Sequence, residues 1–136
     1  MSGGDINDSV ANGSGMGARR GRREYDLEER TARFGEAVIA FAKKVRKKPV
    51  ALPLIAQMVK AGTSVGANYC EADEAISKRD FRKNIGTCRK ESRESKHWVR
   101  MIVAAQPDLK SEGRPVWQEA KELNKIFVKI FRSTSR

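Results

Sequence analysis

The tightest constraint on the fold is a set of four apolar stripes in which successive positions alternate three and four residues apart. Leu27, Thr31, Phe34, Val38, Phe41 and Val45 are spaced 4, 3, 4, 3, 4, and a helix gathers such positions into one seam. Ile55, Val59, Gly62, Gly66 and Tyr69 repeat the pattern. Phe81, Ile85, Cys88, Ser92, Ser95, Val99 and Ile102 form a third stripe, and Val116, Ala120, Leu123, Phe127 and Ile130 a fourth. No stretch shows the period of two that a half-buried strand needs. A chain of 136 residues suits one domain with tails. The predicted class is all-α, an antiparallel up-down four-helix bundle over residues 24–132. Residues 1–23 are rich in Gly, Ser and Asn and short of apolar side chains, so a disordered tail is expected there, with a second disordered end at 133–136.

Local signals set the expected helix limits. Asp26 with Glu29 forms an acidic variant of the capping box, which starts a first helix that runs to about Arg46 and stops before Pro49. Its last turns carry Lys43, Lys44, Arg46, Lys47 and Lys48, which complement the helix dipole. The second helix is expected from about Pro53 to Ala75. Gly62 and Gly66 inside it cost about 1 kcal/mol each relative to Ala, so a close neighbouring helix must compensate; the small residues at the centre of the third stripe suit that role. The same glycines do not form a phosphate loop, because no strand precedes them and no Gly-Lys-Ser follows. Ser77 caps the third helix, with Asp80 at the third position, and the helix extends to about Ala104 before Pro107; the fourth is expected to start near Pro115.

The charge is as distinctive as the periodicity. Lys and Arg number 28 against 17 Asp and Glu, a formal charge of +11, so a polyanion is the first partner to consider. On a wheel at about 100° per residue, Lys78, Arg89, Arg93, Lys96 and Arg100 fall within about 40° of Arg82. From 78 to 100 this row of six cations stretches about 33 Å and is expected to point outward, where it matches a nucleic-acid backbone. The fourth helix carries a smaller row, Lys121, Lys125, Lys129 and Arg132, and the tail ends in Arg19, Arg20, Arg22 and Arg23, which could also lie on phosphates. Aromatic residues are few and mostly on seams, so phosphate contact with little base stacking is expected. No run of about 18 apolar residues could span a membrane and no apolar leader is visible, so a cytoplasmic protein without membrane partners is expected. Cys70 and Cys88 are too few for a disulfide framework and are expected to be reduced.

Enzyme chemistry finds little to work with. Glu94 and His97 spell one Glu-x-x-His, but a di-iron bundle needs two such motifs and His97 is the only histidine. A metal centre could then form only across subunits. Cys88 lies on the seam, about 180° from His97 on the same helix, so the two cannot form a nucleophile-base pair. Glu91 and Glu94 fit ion pairs that fix helix register better than acid-base chemistry. No catalytic residue, metal ligand or cofactor is expected.

Several segments resemble a known family. Tyr25-Asp26-Leu27-Glu28-Glu29-Arg30-Thr31-Ala32-Arg33-Phe34, Thr63-Ser64-Val65-Gly66-Ala67-Asn68-Tyr69-Cys70-Glu71-Ala72, Ser77-Lys78-Arg79-Asp80-Phe81 and Lys90-Glu91-Ser92-Arg93-Glu94 with Trp98 resemble the four-helix bundle family of 23S rRNA intervening-sequence proteins. The resemblance spans about residues 25 to 132 and is most specific from the second helix into the third. It implies a four-helix bundle assembled as a homopentameric barrel. It also implies kinship with the accessory variability determinant of diversity-generating retroelements, which binds nucleic acid and works with a reverse transcriptase. Asn68, Glu71, Glu91, Glu94 and Trp98 occupy the family's signature positions and read as structural. The resulting expectation is a non-enzymatic, basic, homo-oligomeric nucleic-acid-binding accessory protein, RNA-leaning and serving a reverse transcriptase. An rRNA intervening-sequence protein and a protein-only assembly scaffold are the alternatives.

Overall fold

A computed structural model of the chain describes the backbone of residues 16–135 and the side chains of 27–135. Four helices follow one another: α1 (Met16–Lys44), α2 (Ala51–Asp73), α3 (Lys78–Ala105) and α4 (Lys110–Ser133), with a 3-10 turn at Pro107–Leu109 leading into α4. Each helix packs against its sequence neighbours, and α4 closes on α1; the diagonal helices α2 and α4 meet only through core side chains, with the Tyr69 and Phe127 ring centroids 6.1 Å apart. Connectors this short force consecutive helices antiparallel, so the described residues form an up-down four-helix arrangement without strands.

Three helix starts differ from expectation. α1 is already helical at Met16, so Asp26 lies inside it and does not cap it; Ala18, four arginines and Glu24 are strong helix formers and extend the segment upstream of the first seam residue. Helix thus covers 16–23, part of the segment expected to be disordered, and residues 1–15 lie outside the described ones. α2 begins at Ala51, two residues before Pro53. α4 begins at Lys110, five residues before Pro115, because the turn at Pro107–Leu109 feeds straight into it. A proline in the second turn forfeits only one backbone bond, to the Ser111 carbonyl. The α3 start is as read: Ser77 Oγ accepts from the Asp80 N–H at 3.0 Å.

The seams of α1, α3 and α4 fill the core. Phe34, Phe127, Met58, Ile85, Ile102 and Leu123 are its largest fully buried side chains. In α2 the buried line is instead Ala51, Met58, Ala61, Gly62, Val65, Tyr69 and Ala72, so Ile55 and Val59 stand on its flank, half-buried. Flanked by α1 and α3, this helix buries a stripe too wide for one seam to represent. Its glycines face α1 and not the small residues of α3: a Cβ on Gly62 would stand 2.7 and 2.8 Å from the methyls of Val38, and one on Gly66 3.3 Å from Thr31 Oγ1. α3 meets α2 elsewhere, with the Cys88 thiol 3.6 Å from the Val65 carbonyl.

One end of the bundle is closed by polar groups. The buried Gln106 amide donates to the Arg46 carbonyl at 2.9 Å and accepts from the Arg46 N–H at 3.0 Å. Outside it, the Arg46 guanidinium grips Asp108 at 2.8 and 2.9 Å. The connector after α1 is thereby fixed to the turn after α3. No described helix is long and apolar enough to cross a membrane.

Candidate nucleic-acid interface

The basic row of α3 lies along its boundary with α4. Lys78, Arg89, Arg93 and Arg100 are exposed, whereas Arg82 and Lys96 are half-buried. The Arg82 guanidinium sits 3.8 Å over the centroid of the Phe131 ring, and that of Arg89 sits 4.4 Å from the same centroid. Further along, Lys96 and Lys121 place their ammoniums 5.6 and 5.4 Å from the Trp117 ring centroid. The expectation of a wholly outward row without aromatic company is therefore corrected. Planar guanidiniums stack on rings and flexible stems lie along them, so part of the row rests on α4. Arg82 Nε is enclosed without a hydrogen-bond partner among the described residues; its ring contact holds the head in place.

The rings under the row have a legible origin. Trp117, Asn124 and Phe131 are seven residues apart and run beside the α4 seam on the flank that meets α3. Asn124 donates through Nδ2 to the Arg89 carbonyl at 2.8 Å and to Ser92 Oγ at 3.3 Å, which pins the two helices at mid-face. Gly86, where a Cβ would stand 3.1 Å from Phe131, lets that ring lie close to α3. Sequence reasoning assigned the aromatics to seams and missed this flank; its seven-residue spacing was the available signal.

The same flank enlarges the positive surface. Relative to Asn124, the α4 residues Lys110, Arg114, Lys121, Lys125 and Arg132 fall within about 100° on the side away from the core, and the carboxylates of α4 fall outside that sector. Lys125, Lys129 and Arg132 line a shallow groove with Asn124 and Val128. Near the other end, Arg100, Lys110 and Arg114 border an open pocket walled by Trp117 and Val103, with a volume of about 320 Å³. The described ion pairs are Arg30–Glu119, Arg33–Glu29 and Arg46–Asp108. Arg82, Arg89, Arg93, Lys96 and Arg100 take part in none of them. Arg19, Arg20, Arg22 and Arg23 lie on the first turns of α1, with side chains outside the described residues.

The signature positions lie mainly along the outer side of the α2–α3 pair. Asn68 donates to the Ser64 carbonyl at 2.8 Å within its own helix, and Glu71 and Glu94 are exposed. Half-buried Trp98 packs against the core and meets His97 edge to face at 4.9 Å. Burial pushes the Glu91 carboxyl up, with Glu94 adding to the effect, while the charges of Lys90 and Lys60 oppose it. The ion pairs expected at Glu91 and Glu94 are not among those the described residues form. The basic row stands about 180° around α3 from Glu91, out of its reach.

The thiols are poor nucleophiles. Burial first, then the charge of Glu28, Asp73 and Glu71, raises the exposed Cys70. Burial drives Cys88 up to about 12. Among the described residues no three His, Cys, Asp or Glu side chains come together as metal ligands would.

Comparison with known proteins agrees with this architecture. A crystallised protein of unknown function from the S23 ribosomal protein family of Bacteroides thetaiotaomicron is 21% identical, with a TM-score of 0.72 over 80% of this chain and 97% of that one. That likeness shows a shared fold. No curated protein matches the chain. The family described as 23S rRNA-intervening sequence protein matches residues 23–129, a span that holds α1 from Arg23 onward, all of α2 and α3, and most of α4. With most of its length matched, the chain belongs to the 23S rRNA-intervening sequence protein family.

Proposed function

We propose that this protein is a non-enzymatic accessory protein that binds nucleic acid, with a leaning to RNA, by laying phosphates along the α3–α4 face. The observation that carries the reading is the convergence of Arg82, Arg89, Arg93, Lys96 and Arg100 from α3 with Lys110, Arg114, Lys121 and Arg132 from α4 on one side. None of the α3 group is spent on an ion pair among the described residues. Unneutralised cations in such a row repel one another, and a phosphate backbone is the partner that relieves them along the whole length. Such contacts fix register on the strand without reading sequence.

The reading includes assembly as a homo-oligomer, a pentamer as the family resemblance implies, and service to a reverse transcriptase. Five copies would multiply the formal +11 fivefold, so weak contacts by single subunits would add. The test is binding of the purified protein to structured RNA, single-stranded RNA and duplex DNA across about 50 to 200 mM salt, where phosphate-driven affinity falls steeply. Arg82→Glu, Arg89→Glu and Lys96→Glu together should abolish binding while light scattering still gives the mass of the assembly. Unchanged RNA affinity in that variant would remove the basis of the reading. A salt-insensitive protein complex without nucleic-acid affinity would instead establish a protein scaffold, and a reverse transcriptase that fails to co-purify would exclude that partner.

A further inference from the structure

We infer that the pocket beside Trp117 receives one unpaired nucleobase of a bound single strand, stacked on the indole while the flanking phosphates lie on Arg100, Lys110 and Arg114. This rests on the phosphate-binding reading above and adds a preference for unpaired over paired nucleic acid. The pocket has an apolar wall of Trp117, Val103 and Gly113 and a rim of three cations. Arg100, Lys110 and Arg114 are exposed and Trp117 is half-buried, so the wall is fixed in the bundle and the rim is free to adapt.

Three features make a base the fitting occupant. The volume of about 320 Å³ is at the small end for ligand pockets and suits a flat ring system better than a duplex edge. Gly113 fixes its floor: a Cβ there would stand 3.0 Å from Val103 and 3.1 Å from Phe41, so glycine lets this part of α4 settle closely against its neighbours beneath the pocket. The ammoniums of Lys96 and Lys121, at 5.6 and 5.4 Å from the Trp117 centroid, stand near the outer limit of a cation–π contact. They can exchange the ring for a phosphate at little cost. A duplex keeps its bases inside and could touch only the rim, whereas a splayed base uses wall and rim together. The cation row running away from the pocket along α3 supplies the next phosphates of a strand, which a free mononucleotide lacks.

The test uses the full chain carrying Trp98→Phe, which leaves Trp117 as the sole tryptophan. An oligouridylate should quench its emission, and an RNA duplex of equal length should bind with far less quenching. Trp117→Ala should lower oligouridylate affinity on the order of tenfold and leave duplex affinity nearly unchanged, while Trp117→Phe should retain most of it. Uridine monophosphate should bind far more weakly than the oligomer. Emission indifferent to oligouridylate, or equal affinities for Trp117→Ala and the parent, would overturn the base pocket, as would a mononucleotide that binds as well as the strand. If the charge-reversed α3 variant loses both ligands while the Trp117 changes affect neither, the phosphate face stands and the pocket falls. If the parent protein binds neither ligand, both fall. The quenching measurement leaves residue 117 intact, so it decides the question even if Trp117→Ala does not fold.

Discussion

Gly62 and Gly35 are both buried in helix interiors at the α1–α2 contact, yet alanine should act on them with opposite outcomes. A Cβ at Gly35 would meet its nearest atoms at 3.7 to 3.8 Å, ordinary van der Waals contact. Gly35→Ala should therefore keep the full helix-propensity gain of about 1 kcal/mol. A Cβ at Gly62 would stand 2.7, 2.8 and 3.0 Å from Cγ2, Cγ1 and Cβ of Val38. Val38 is fully buried and β-branched, so it holds one rotamer in a helix and cannot swing aside; the helices must part. Overpacking of this kind costs about 1–3 kcal/mol. Both substitutions share the propensity gain, so the difference between them isolates the steric cost. Gly62→Ala should be about 1–3 kcal/mol less stable than Gly35→Ala by urea denaturation with unchanged m-value. In a Val38→Ala background most of that difference should vanish. Equal midpoints for the two variants, or a Gly62→Ala penalty that persists without the Val38 methyls, would refute the close contact as the reason for the glycine.

Other consequences follow from single contacts. Gln106→Ala should cost about 1–3 kcal/mol in denaturant, because the Arg46 N–H and carbonyl lose their buried amide partner. The bond from Arg46 holds the Asp108 carboxyl below its ordinary value of 3.8. Its contribution to stability is therefore complete above that value and is lost as pH falls through the lower folded one; the stability gap between parent and Asp108→Asn should close at acid pH. Native protein should react with a disulfide reagent at exposed Cys70 alone, faster as pH rises, and at Cys88 only after denaturation, since burial drives Cys88 up to about 12. Sodium chloride should raise stability by roughly 0.6–1.5 kcal/mol through the like-charge pairs Arg89–Arg93, Arg93–Lys96 and Lys96–Arg100, an increment that Arg93→Gln together with Lys96→Gln should remove.

What the sequence revealed depended on how many partners each helix has. α3 carries one seam, and all of its positions from Ile85 to Ile102 are buried as the periodicity requires. α2 is wedged between α1 and α3, so Met58, Ala61 and Val65 share the core with a glycine edge turned to α1. A spacing rule that selects one stripe cannot represent both contacts. Boundaries failed where propensity opposed composition: the arginines before Glu24 speak for helix while the glycines and serines around them speak for a tail. The basic row on α3 was legible because it needs only one helix. Its resting place was not, since Phe131 and Trp117 come from α4 and a helical wheel holds no second helix.

The aromatic flank also explains how the fold tolerates so many cations. A solvated lysine or arginine has no reason to be held in one place, and a row of them costs stability through mutual repulsion. Here Arg82 and Arg89 share the Phe131 ring, and Lys96 and Lys121 share Trp117. Each ring offsets part of the repulsion without supplying a counter-charge. A carboxylate at the same places would offset more and would also neutralise the face. Carboxylates do neutralise cations elsewhere in the protein: Arg30 is paired with Glu119 between α1 and α4, and Arg46 with Asp108 at the bundle end. Among the described residues, Arg82, Arg89, Lys96 and Lys121 are thus held by rings and stand outside the ion pairs, the condition a surface needs to bind a polyanion without first breaking its own ion pairs.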